Sequence, residues 1–178
     1  MKNLLLLTLS ISLVLFTSCG GDDEDNMKSG GGSFTVDGTS HNLKFAYKED
    51  YGSNDNGSFD VDITLTSKEF DPDDEGENIN DISVVYFDLN TNTQNVLQTG
   101  TYTYDDERDV LIMVDSFIGV GISTDSDGDI TGGTQYQVID GTVDVSKSGD
   151  NYTIQFDLES TEGTSISGSY TGTLTSVD

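Results

Sequence analysis

Carboxylates are the reactive groups this 178-residue chain holds in excess: 33 acidic residues stand against 7 basic ones. Glu69, Asp71, Asp73, Asp74, Glu75 and Glu77 crowd one short stretch, and Asp125, Asp127 and Asp129 occupy alternate positions in another. Calcium takes roughly six to eight oxygen ligands, so carboxylates gathered in loops are suitable material for it. The second stretch is not an EF-hand, because Ile130 stands where that loop needs glycine and Tyr136 where it needs a bidentate glutamate. A bound Ca²⁺ is therefore expected, if anywhere, at Asp71, Asp73, Asp74 and Glu75 or at Asp125, Asp127 and Asp129. The simpler alternative at both places is a solvated hairpin loop in an acidic chain.

Other chemistries find little to work with. One cysteine and one histidine exclude the usual zinc and iron–sulfur sites. His41 follows Thr39 and Ser40 at the start of a polar strand, the setting of a structural histidine rather than a triad base. The string Gly163-Thr164-Ser165-Ile166-Ser167 lacks the closing glycine of a nucleophile elbow, and no helix follows Gly30-Gly31-Gly32 to make a phosphate cradle. A glycosidase needs only two carboxylates about 5 to 9.5 Å apart, and nothing in the sequence selects a pair. The expectation is a protein that is not an enzyme.

Charge narrows the partners. A formal charge of −26 repels phosphate backbones instead of releasing their counterions, so nucleic acid is excluded. Four of the acidic and two of the basic residues precede Phe34, which leaves 29 against 5 in the remainder, a net of −24. Such a body stays soluble and is repelled by anionic headgroups unless divalent cations intervene.

The amino-terminal segment reads as an export signal. Lys2 and Asn3 precede an apolar run of 13 residues, Leu4 to Phe16, then Thr17, Ser18 and Cys19. The run is too short to span a bilayer comfortably, and its basic start and small-residue end fit a signal peptide over residues 1–18. Phe16-Thr17-Ser18-Cys19 resembles a bacterial lipobox, with Phe16 where leucine is usual. The acidic cluster that follows, Asp22, Asp23, Glu24 and Asp25, is similar to the signal that sends lipoproteins of Bacteroidota to the outer leaflet of the outer membrane. The resemblance covers about the first 30 residues and implies cleavage before Cys19, acylation of its sulfur and amine, and surface display. With no second cysteine for a disulfide, a free thiol exported to an oxidising compartment is the weaker alternative. One acyl chain binds a membrane only marginally, at about 0.8 kcal/mol per buried CH₂, so several chains on one cysteine make the anchor stable. Residues 19–33 then supply an acidic, glycine-rich tether.

These features must be carried by a body that alternates with period two. Phe59, Val61, Ile63 and Leu65 interleave with Asp60, Asp62, Thr64 and Thr66, and Tyr152, Ile154, Phe156 and Leu158 repeat the pattern, as strands with one wet face do. Lys147-Ser148-Gly149-Asp150 and Thr161-Glu162-Gly163 have hairpin composition. Two stretches, Ile82 to Leu89 and Val110 to Val114 continuing through Phe117 and Ile118, are apolar on both faces, which calls for cover by the N-terminal segment or a long loop or else marks an exposed patch for a ligand or partner. Glycines 119, 121, 168 and 172 fall on single strand faces, where they mark bends or an aromatic ring laid against backbone. The expected fold is all-β: one antiparallel domain of about eight to ten strands over residues 34–178, a lipocalin-like up-and-down barrel or, alternatively, a sandwich. Gly141 to Leu174 also resembles the ending of many lipoproteins of Bacteroidota, a likeness that implies no active site. The functional expectation is a lipid-anchored surface protein binding an extracellular ligand or partner. The alternatives are a Ca²⁺-stiffened adhesive module and, third, a carboxylate-based hydrolase.

Overall fold

The computed structural model describes residues 30–70 and 78–177. Cys19, Asp22, Asp23, Glu24 and Asp25 lie outside the described residues, as do Asp71, Asp73, Asp74 and Glu75. The described chain is all-β, with eleven strands and no helix: β1 (Gly31–Val36), β2 (Thr39–Leu43), β3 (Phe45–Ser53), β4 (Phe59–Thr66), β5 (Ile82–Thr91), β6 (Gly100–Tyr104), β7 (Ile112–Thr124), β8 (Ile130–Ser148), β9 (Asn151–Ser160), β10 (Ser165–Gly172) and β11 (Thr175–Ser176). All belong to one sheet, ordered β11-β3-β4-β5-β7-β6-β8-β9-β10-β1-β2, which curls strongly into a half-barrel. Strand β2 approaches β4 and β5, and between β2 and β3 the Lys44 amide donates to the carbonyl of Thr66, the last residue of β4, at 2.7 Å.

Alternation decides which face goes inward. Val61, Ile63 and Leu65 of β4, Val85, Phe87 and Leu89 of β5, and Ile154, Phe156 and Leu158 of β9 share one buried core with Phe34, Tyr102, Ile118, Val143 and Ile166. Each fully buried Val, Leu, Ile or Phe contributes about 1.5–3 kcal/mol, so this concave face is the main stabilising term. It is filled by side chains. Phe87 and Phe156 meet edge to face at its centre, 5.3 Å between centroids.

The sheet departs from a purely antiparallel meander in two places. Strand β6 is wedged between β7 and β8, parallel to the former, and β11 pairs with β3 in parallel. The wedge follows from the length of β7 and β8: they pair from Phe117–Gln137 to Thr124–Ile130, and beyond that stretch β6 occupies the place between them.

Strand structure begins earlier than the glycine-rich composition implies. Gly31, Gly32 and Ser33 belong to β1, whose pairing with β10 runs from Gly31–Thr171 to Thr35–Ser167. A side chain at Gly32 would place its Cβ 1.9 Å from the Ser169 carbonyl oxygen, so glycine permits the strands to close there. Gly168 plays the part expected of a strand glycine under a ring: an added Cβ would lie 2.5 Å from Phe156 Cζ and 2.6 Å from the Ser33 carbonyl oxygen. Gly168→Ala therefore overpacks the β1–β10–β9 junction. Denaturant unfolding should show a loss of about 1–3 kcal/mol, whereas alanine at open Gly31 should cost under about 1 kcal/mol.

Candidate functional site

The outward face of β4, β5 and β7 departs from the wet-face rule. Asp62 on β4 stands directly across from Asp88 on β5, and Asp60 lies two residues along on the same face. Asp62 and Asp88 are only 7% and 4% exposed. One oxygen from each of the three carboxylates falls within 4.8 Å of the other two. Among the described residues this is the one such group, formed from alternate residues the sequence pattern had assigned to solvent.

Arg108, from the β6–β7 connection, makes the arrangement tolerable. Its two terminal nitrogens donate in bidentate fashion to Asp88 at 3.0 and 2.7 Å, and Nη1 also donates to Asp60 at 2.7 Å. Asp115 completes the ring at 3.5 Å. A fork of this kind suits a rigid guanidinium better than an ammonium. A β-bulge between Tyr86 and Asp88 turns the Asp88 amide toward Ser116 Oγ, which accepts from it at 3.2 Å.

Burial raises two of the carboxyls. Asp62 is pushed up to about 7, by desolvation first, against a hydrogen bond from the Tyr86 hydroxyl that pulls the other way; the charges of Asp88 and Asp60 add to the rise. Asp60 is pushed up to about 6 by desolvation and by Asp88, with Arg108 opposing. The Tyr86 hydroxyl is raised by its own burial and by Asp62. Asp60 Oδ1 is buried with no hydrogen-bond partner. The cluster is thus charged, partly paired and able to take up protons near neutrality.

Tyr86 also links this cluster to an apolar groove on the same face. Its ring stacks on Phe117 with centroids 5.1 Å apart and planes 25° apart. Beyond the pair, Ile82, Val84, Ile122 and Ile130 line an open groove of about 350 Å³, bordered by Phe70 and Ile79 from the β4–β5 connection. Here lies the outer side of the two strands that were apolar on both faces. Ile82 and Ile122 are buried at its floor, while Ile130 on its rim is 50% exposed.

The remaining candidate residues are placed elsewhere. Asp125, Asp127 and Asp129 sit in the β7–β8 turn, where Asp125 Oδ1 accepts the amides of Asp127 and Asp129 at 3.0 and 3.1 Å. The Asp125 carboxylate is thereby engaged in shaping its own turn. His41 stacks on Phe34 at 5.1 Å and its Nδ1 lies 3.4 Å from Ser83 Oγ, a packing role. Arg108 escaped sequence reading because its partners are 20 and 48 residues away. The available signal was its rarity, as the only arginine in the chain. No protein-family model, curated protein or solved structure matches the chain.

Two outcomes follow. The folded-state values of Asp60 and Asp62 lie above the ordinary carboxylate value of about 4, so the folded state holds protons the unfolded chain has released. Their contribution is fully present below pH of about 4 and is lost as pH rises through 6 and 7. Thermal melts from pH 5 to 8 should show Asp62→Asn losing less stability over that window than the native chain, and the variant should be the more stable at pH 8. Arg108→Met leaves buried Asp88 uncompensated. Because Arg108 is about a third exposed, urea unfolding at pH 8 should show a loss toward the lower end of roughly 3–5 kcal/mol, and a smaller one at pH 5.

Proposed function

We propose that the chain is a bacterial outer-membrane lipoprotein, held at the cell surface by acyl chains on Cys19, whose β body binds a small apolar molecule in the groove between Tyr86–Phe117 and Ile130 without transforming it. The observation that carries the binding part is the groove itself: an open apolar channel on the outer face of a sheet whose other outward positions are mainly polar. Monomeric soluble proteins seldom leave such surface open without a use for it. The sorting part rests on the apolar run, the lipobox-like Phe16-Thr17-Ser18-Cys19 and the acidic residues after it.

The polar end of the groove adds selectivity. A ligand seated against Phe117 brings its end to the Tyr86 hydroxyl, which already donates to Asp62. A hydroxyl or amine there finds an acceptor in Asp62, whereas a carboxylate meets three acids. An apolar body with a neutral or cationic head is thus preferred. The hydrolase alternative is disfavoured because the donors of Arg108 are committed to Asp60 and Asp88. For a calcium-stiffened module, Asp125 Oδ1 is engaged by two backbone amides of its own turn, and Asp71, Asp73, Asp74 and Glu75 lie outside the described residues.

Two measurements test the reading. Fluorescence titration with the neutral probe N-phenyl-1-naphthylamine should saturate with the native chain and weaken at least tenfold in Val84→Asp; equal binding by both proteins refutes the groove. Mass spectrometry of the mature protein should find Cys19 acylated, and protease added to intact cells should remove the native body. Cys19→Ala should no longer be retained at the surface. An unmodified cysteine refutes the anchor and leaves the groove untouched.

A further inference from the structure

The body has five basic side chains, Lys44, Lys48, Lys68, Arg108 and Lys147. Three of them, Lys44, Lys48 and Lys147, line one cleft of about 490 Å³. It lies far along the strand order from the groove's centre, at the seam of the curled sheet. One wall is β3 with β11; the other is the β8–β9 hairpin with Tyr170 of β10.

Charge makes the gathering significant. Lys68 and Arg108 both sit within 4 Å of carboxylates, yet among the described residues no carboxylate lies that close to Lys44, Lys48 or Lys147. In a body with 29 acids against 5 bases, pairing is the easy outcome, and its absence among the described residues at the three lysines lining this cleft requires a reason. Lys147 Nζ lies 2.9 Å from the Tyr152 hydroxyl and 4.4 Å from its ring centroid, and Lys48 Nζ donates to the Asn95 carbonyl at 3.2 Å. Both ammonium groups are therefore held by uncharged partners, which leaves their charge unneutralised. Among the described residues Asp150 is the one carboxylate lining the cleft. Three like charges sharing a concavity repel one another, and a bound anion removes that cost.

We propose that the seam cleft is a binding site for a phosphate group. Lysines act as rotatable point charges suited to a tetrahedral oxyanion, where a planar carboxylate would favour a guanidinium fork. Thr175 and Ser176 of β11 line the same cleft, and strand alternation turns the hydroxyl of one of them toward it as a donor. Two sources offer this chemistry, a soluble phosphate ester and the phosphate of a phospholipid headgroup. Neither depends on the apolar groove or on acylation of Cys19.

Calorimetric titration of the full chain with inorganic phosphate at pH 8, at ionic strength held constant with chloride, should give saturable binding. The double variant Lys48→Gln/Lys147→Gln should weaken it at least tenfold, Lys48→Arg/Lys147→Arg should retain most of it, and Asp62→Asn should leave it unchanged. Because a headgroup could be the only phosphate with access, a second arm compares cosedimentation with phosphatidylglycerol and phosphatidylcholine vesicles. A phosphatidylglycerol preference abolished by the Lys→Gln pair assigns the site to headgroups, and phosphate binding without that preference assigns it to soluble esters. If phosphate does not saturate and neither vesicle distinguishes the Lys→Gln pair from the native chain, the site does not exist.

Discussion

A strand has two faces, and the fold depends on one of them never meeting water. Every long strand of this sheet contributes inward residues to a single filled core, and the strong acidity of the chain is tolerated because the described carboxylates lie mainly in the connections between strands and on the opposite face. Curling follows from the same constraint. A sheet with one apolar face and no helix to cover it buries that face by bending over itself. Phe87 meeting Phe156 at the centre is the result of that closure. Glycines at the β1–β10 contact let backbones and rings come together there without side chains in the way.

The exceptions to the two-face rule are where chemistry concentrates. On β4, β5 and β7 the outer face is partly withdrawn from water, and there the chain places three carboxylates, one arginine and a stacked aromatic pair. Desolvation raises the proton affinity of Asp60 and Asp62, and Arg108 limits that rise where it touches. Apolar and polar demands therefore meet at Tyr86, whose ring belongs to the groove and whose hydroxyl belongs to the acids. At the seam the opposite imbalance arises, with positive charge gathered where the rest of the molecule is negative.

Much of the fold was legible because alternation is local. The runs that became β4, β5, β9 and β10 could be read from their apolar spacing, and the two-faced character of Ile82 to Leu89 announced an inner face in the core and an outer face that is in part an apolar groove. What escaped was set by distant partners. Strands β1 and β2 carry few apolar residues, and the strongest hint was the Asp37-Gly38 turn, both residues of which adopt positive φ, 49° and 73°. The first half of β8 is mostly exposed and shows no apolar rhythm, so its pairing with β7 supplies the order that its sequence does not. Asp60 and Asp62 looked like solvent-facing residues, and nothing singled out Asp88, because burial of an outer face depends on the remote chain that crosses it.

The position of β1 within the sheet has a mechanical corollary. Any pull transmitted to the body from its amino-terminal side enters at Gly30 and Gly31, and β1 is not an edge strand: β10 holds it on one side and β2 on the other. Tension is divided between two hydrogen-bonded ladders from the first loaded residue, and the ring of Tyr170 packs beside that entry point. The strand that would take such a load first is thereby among the hardest to peel away.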